Sequence, residues 1–178
     1  MAIFKNRLVS KQEIYFTFVA CSFPVYLWTF YKIFNQIPAW ITKLNVGEVA
    51  SVSAYAVAFS LFESLILCLL FLILAGILPE RIFRRKFVAH VMMIMLVSAL
   101  WAVIAQFNYS DVYGWTFVDL LPWLVIYLFS ILLIYFLVQR FERFSVFVYR
   151  FVQRISLLAT LYILVGVIGL IVVVLRNI

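Results

Sequence analysis

Glu63 is the side chain whose surroundings make it most conspicuous chemically, because no other charged residue occurs between positions 49 and 78. A hydrocarbon core about 30 Å thick is crossed by ~20 apolar residues in a helix, so Glu63 falls near the middle of a membrane-length run. An isolated charge at that depth costs about 3 kcal/mol or more. Three arrangements relieve that cost: a neutral carboxyl hydrogen-bonded inside the bundle, a contact with a partner chain or lipid, or a place on a proton or cation pathway. Counting from the ends of the apolar runs, Ser22, Ser98, Tyr127, Ser130 and Gly166 belong to the same layer, and Ser60 shares the helix face of Glu63. The expected intramembrane polar site is therefore Glu63 with Ser60, Ser98 and Tyr127. No Lys or Arg of this chain lies in that layer to pair with it.

Other reactive residue types offer less. Asp111 and Asp119 flank an aromatic group of Tyr109, Tyr113, Trp115 and Trp123. Paired carboxylates serve acid-base chemistry or bind a divalent cation, yet neither a third acidic ligand nor a nucleophile motif accompanies these two, which read as solvated loop residues. His90, the single histidine, follows Arg84, Arg85 and Lys86 and reads as an interfacial polar side chain. One histidine does not supply a bis-histidine haem or a multi-histidine metal site. Cys21 and Cys68 lie inside apolar runs with no CxxC spacing and read as small buried hydrophobes. No catalytic, cofactor or metal site is expected. Asn108-Tyr109-Ser110 matches a glycosylation sequon, a motif frequent by chance.

The elements that position these residues follow from composition. The chain of 178 residues is 68% hydrophobic and 12% charged, with a mean hydropathy of +1.18. These values describe an integral membrane protein. The expected fold is an all-α bundle of five transmembrane helices in one domain, at about 14–34, 49–78, 87–107, 117–138 and 155–175. Pro24 predicts a kink in the first helix, and Pro122 lies near the start of the fourth, where proline is tolerated. Residues 35–48, with Pro38, Trp40, Lys43 and Glu48, are expected to form a loop. The stretch 139–154, QRFERFSVFVYRFVQR, places Arg140, Arg143, Arg150 and Arg154 on one helix face, either along the membrane surface or extending the neighbouring helices into water.

At 100° per residue, Val52, Ala56, Phe59, Ser60, Leu67, Leu70 and Leu74 share the face of Glu63, while Gly47, Ala50, Ala54, Ala58, Cys68 and Gly76 gather opposite. Small residues four apart admit close helix approach in lipid, so Ala50, Ala54 and Ala58 are the expected packing positions. Helix 2 is accordingly expected inside the bundle, with neighbours on both sides.

Charge sets the orientation. Lys5, Arg7 and Lys11 in the N-terminal segment, Arg81, Arg84, Arg85 and Lys86 in the second connection, and Arg140, Arg143, Arg150 and Arg154 in the fourth share one side. Only Lys32, Lys43 and Arg176 oppose them, which predicts a cytoplasmic N-terminus and an extracytoplasmic C-terminus. All five tryptophans fall on the other half, as interfacial aromatics do. The net charge of +7 does not indicate nucleic acid, because the basic groups alternate with membrane-length apolar runs. Their expected partners are anionic lipids on the cytoplasmic side, at the arginine and lysine positions of the second and fourth connections.

The leading functional expectation is a non-enzymatic accessory, anchoring or assembly subunit of a larger membrane complex, in the bacterial cytoplasmic membrane or its equivalent. Its partners are other membrane subunits or further copies of the same chain. A small ion or solute transporter using Glu63 in an oligomeric pathway is the alternative. A membrane-embedded lipid enzyme using Asp111, Asp119 or Glu63 is the third.

Overall fold

Three of the five helices begin at sequence-encoded caps. In the computed structural model, which describes residues 10–78, 86–108 and 116–177, α1 (Lys11–Ile41) opens on Ser10 and Glu13. The Ser10 backbone N–H donates to the Glu13 carboxylate at 2.8 Å, and the Glu13 N–H donates to the Ser10 hydroxyl at 3.2 Å. Asn45 and Glu48 make the same reciprocal pair at the start of α2 (Val46–Ile77), both at 2.9 Å. At the start of α4 (Phe117–Arg140), the Asp119 carboxylate accepts from the Thr116 N–H at 2.9 Å and from its hydroxyl at 2.7 Å. Each pair satisfies backbone donors that a helix start leaves without partners. The remaining helices are α3 (Phe87–Phe107) and α5 (Glu142–Asn177).

All five helices are long and apolar enough to cross a membrane, which marks an integral membrane protein. At 1.5 Å per residue, α1, α2 and α5 are about 47, 48 and 54 Å long, against roughly 32 and 36 Å for α3 and α4. The long helices form the body of the bundle: α1 packs on α2, α3 and α5, and α2 also packs on α5. The α1 and α5 axes run in the same direction, since Tyr15 donates to the Ser156 carbonyl and Tyr26 stacks on Tyr162 further along. The shorter helices form an antiparallel pair, with His90 beside Tyr135 and Trp101 beside Trp123.

Packing is densest at the end where α1, α3 and α5 begin. Six consecutive residues of α3, from Phe87 to Met92, are buried, and a helix buried all round must have neighbours on every side. Phe16, Val19 and Cys21 of α1, Phe71 of α2, Val138 of α4, and Val148 and Val152 of α5 belong to the same core. Toward the other end α4 presents mostly exposed aliphatic and aromatic side chains, the surface expected to face lipid tails.

Two helices differ from the sequence expectation. α1 continues through Pro24 and Pro38 to Ile41, absorbing much of the expected 35–48 loop. The ladder bonds lost at the prolines are offset by Ile37 and Trp40, which pack on the cluster of Tyr26, Ile33, Val57 and Tyr162. α5 begins at Glu142, separated from α4 by Phe141 alone. The arginine-rich stretch is therefore helical and becomes mostly the first turns of α5. Ser145, Val148 and Val152 bury its inner face.

Candidate functional site

Two pairs of hydroxyls in the middle layer are matched between helices, with Glu63 left outside. Ser60 donates to the Ala56 carbonyl at 2.9 Å, which leaves its oxygen to accept from the Thr29 hydroxyl at 2.6 Å. This bond joins α1 to α2. Ser64 donates to the Ser60 carbonyl at 2.7 Å. Ser98 and Tyr127 share a hydrogen bond at 2.9 Å that joins α3 to α4. Ser22 and Ser130 return to carbonyls of their own helices, Val19 and Ile126.

Glu63 stands one turn beyond Ser60, near the centre of α2, with its side chain exposed beside Phe59, Phe62, Ile66 and Leu70. Among the described residues no hydrogen bond or ion pair reaches its carboxyl. The neighbour expected on the Glu63 side of helix 2 is not seen among the described residues, and of the three arrangements open to Glu63 no hydrogen bond to Ser98 or Tyr127 is made there. The helical wheel explains why. Ser60, Val57 and Ser64 lie about 60° to 120° round α2 from Glu63 and take α1; Ala54 lies diametrically opposite Glu63 and takes α5. Among the described residues no helix covers the Glu63 face.

The small-residue face meets glycines. A Cβ built on Gly169 of α5 would lie 2.8 Å from the Ala54 carbonyl oxygen and 3.4 Å from the Ala58 nitrogen, so the two backbones approach as closely as glycine permits. Ala54 and Ala58 are in this contact, whereas Ala50 is exposed. One turn away, Tyr26 is fully buried and its ring lies 4.6 Å from Tyr162 at an interplanar angle of 7°. Among the described residues the Tyr26 hydroxyl has no hydrogen-bond partner, and a Cβ on Gly166 would come within 2.5 Å of it. Thr29, Tyr26, Tyr162 and Gly169 escaped the sequence reading. The Gly166-x-x-Gly169 spacing was the signal available for the last of them.

At the densely packed end, the Lys86 ammonium donates to the Val138 carbonyl at 2.8 Å and the Gln139 carbonyl at 3.2 Å. It thereby caps the C-terminus of α4, where a positive charge also complements the helix dipole. His90 is buried between helices and 1% exposed. Its Nδ1 donates to the Lys86 carbonyl at 2.9 Å, and its ring lies 5.2 Å from Tyr135. Lys86 and His90 act together as a fastener between α3 and α4, using one ammonium, one imidazole and one phenol ring.

Arg140, Arg143, Arg150 and Arg154 are exposed. Arg81, Arg84, Arg85, Asp111, Tyr109, Tyr113 and Trp115 lie outside the described residues. Asp119 caps α4, and Asn108 donates to the Ile104 carbonyl at 2.8 Å. No group of three His, Cys, Asp or Glu side chains occurs among the described residues. What the site offers chemically is one carboxyl on an outward face near the middle of α2. Comparison of the chain with protein-family models, curated proteins and solved structures finds no match.

Proposed function

We propose that this protein is a non-enzymatic accessory or assembly subunit of a membrane complex, and that the α2 face bearing Glu63 seats against a neighbouring transmembrane chain. The observation that supports the reading is the outward carboxyl in the middle of α2 with no partner among the described residues. Hydrocarbon does not solvate such a group, while a neighbouring helix with a hydrogen-bond donor or a cation does. In this reading the N-terminus faces the cytoplasm of a bacterial or equivalent membrane, as the distribution of basic residues favours.

The reading makes assembly and monomer stability respond in opposite directions. Replacing Glu63 by leucine removes a polar group from lipid, so the isolated chain gains about 2 to 3 kcal/mol or less. The same change removes the bond on which assembly depends. Tagged wild type, Glu63→Leu and Glu63→Gln are to be extracted in mild detergent from native cells, and co-purifying chains quantified by mass spectrometry. Wild type retains a stoichiometric membrane partner or a second copy, Glu63→Leu loses it, and Glu63→Gln keeps part of it. A wild-type chain that emerges alone, under conditions that preserve known complexes, refutes the reading.

A further inference from the structure

We infer that the outward face of α5 is a binding site for a single anionic phospholipid, with Arg150 and Arg154 holding the phosphate and the apolar residues beyond them holding a tail. The inference is independent of Glu63. Its basis is the continuity of one face. Arg143, Phe147, Arg150, Arg154, Leu157, Leu161 and Ile168 fall within a sector of about 80° on α5, and all seven are exposed. Ser145, Val148, Val152 and Ala159 occupy the opposite, buried face. The helix is therefore fixed against the bundle with its arginines turned outward.

The arginines have nothing inside the protein to neutralise them: among the described residues no carboxylate pairs with Arg143, Arg150 or Arg154. Glu142, the only acid of this segment, lies about 100° round the helix from Arg143. Arg150 and Arg154 are one turn apart, about 6 Å along the axis, a separation at which two guanidinium groups can share one phosphate. Arg154 is also the last charge before the uncharged, largely apolar run from Ile155 to Leu175. That run is about 31 Å long, the thickness of the hydrocarbon, so Arg154 marks its border.

A soluble phosphate would use the guanidinium pair alone. The track below it distinguishes a lipid. From Leu157 to Ile168 the exposed face extends about 17 Å, roughly half the hydrocarbon thickness and hence the depth that one tail reaches. Phe147, 67% exposed between Arg143 and Arg150, supplies an apolar surface at headgroup level.

The test uses the purified full-length chain in mild detergent, stripped of lipid and then offered phosphatidylglycerol or phosphatidylcholine with the same tails. Retained lipid is counted by native mass spectrometry. Wild type should prefer phosphatidylglycerol by roughly tenfold, the scale of one or two charge-assisted hydrogen bonds. The R150Q/R154Q variant should lose the preference, and R176Q, altered at the other end of α5, should keep it. Equal retention of both lipids by wild type overturns the site, and this comparison decides the matter even if the double variant does not fold. An undiminished preference in R150Q/R154Q, or an equal loss in R176Q, also overturns it. Inorganic phosphate at the lipid concentration should leave the bound lipid in place; displacement by it would reassign the arginines to a soluble anion and overturn the lipid site.

Discussion

Tyr26 and Gly166 should be coupled in stability, with a sign that follows from their geometry. In Gly166→Ala the added methyl would lie 2.5 Å from the Tyr26 hydroxyl and 3.1 Å from the Leu61 side chain. Ordinary contact needs close to 1 Å more on the tyrosine side. Tyr26 has little room to yield, being fully buried and stacked on Tyr162. Overpacking of this kind costs about 1 to 3 kcal/mol, offset by about 1 kcal/mol of better helix propensity for alanine. The net loss for Gly166→Ala should be about 0 to 2 kcal/mol. Tyr26→Phe removes the obstructing oxygen together with a buried hydroxyl that lacks a partner. Burying such a group costs about 1 to 3 kcal/mol against water, and less against lipid, so Tyr26→Phe should be neutral or stabilising by up to about 1 kcal/mol. In the double variant the alanine still meets Leu61, whose Cβ and Cδ2 both lie 3.1 Å away, so its cost should fall without vanishing. The interaction energy is then about 1 kcal/mol or more, in the range that contacting residues show. Reversible unfolding of all four proteins in mixed micelles, titrated with a denaturing detergent, measures it. Equal costs of Gly166→Ala in both backgrounds would refute the steric argument. A Tyr26→Phe variant destabilised by more than about 1 kcal/mol would show that the hydroxyl has a partner after all.

Gly169→Ala should be more harmful than Gly166→Ala in the Tyr26→Phe background, losing about 1 to 3 kcal/mol in the same titration, because its methyl meets the Ala54 backbone carbonyl, which no rotamer change removes. A double-mutant cycle on Ser98→Ala and Tyr127→Phe should return about 0.6 kcal/mol, the ordinary worth of an interhelical hydrogen bond in a membrane protein. Lys86→Met, which leaves the Val138 and Gln139 carbonyls without their cap, should raise hydrogen exchange in the last turn of α4 more than in α1 or α2. Cys21 and Cys68, both buried, should resist a maleimide in the folded micellar protein and react once it is unfolded.

Five apolar runs and their separators were enough to locate five helices, because membrane length and charge are coarse signals. Their ends were less legible. Pro38 suggested a loop, yet Ile37 and Trp40 have a tertiary cluster to pack against, and packing outweighed the missing backbone bond. The arginines of 140–154 left a surface segment and an extension of the neighbouring helices both open; in the structure the stretch is helical, and Ser145, Val148 and Val152 bury one side of it within α5. Gly169 comes close to Ala54 and Ala58, while Ala50, of the same spacing, is exposed. The environment of Glu63 was harder to infer for a physical reason. In water an apolar face must be covered, so hydrophobicity locates the interior; in lipid an apolar face is equally content outside, and the pattern of α2 did not say which faces would be chosen. Thr29 settled one of them by bonding Ser60, and no sequence rule paired those two hydroxyls in advance.

The positions of the unmatched groups imply that the two outward surfaces work independently. Inside the bundle, Thr29 with Ser60, Ser98 with Tyr127, and Lys86 with the end of α4 use up polar capacity between helices. Among the charged groups that face outward in the described residues are the Glu63 carboxyl near the middle of α2 and the guanidinium groups of Arg143, Arg150 and Arg154 at the start of α5. Ala54, which faces α5, lies 180° round α2 from Glu63. A chain docked on Glu63 therefore approaches from the side of α2 turned away from α5, and leaves the arginine face open to lipid. Glu63→Leu should abolish co-purification of the partner without changing the preference for phosphatidylglycerol, and R150Q/R154Q should do the converse. If either variant disturbed both readouts, the two surfaces would have to be one interface, and the separation of Glu63 from α5 would carry no functional meaning.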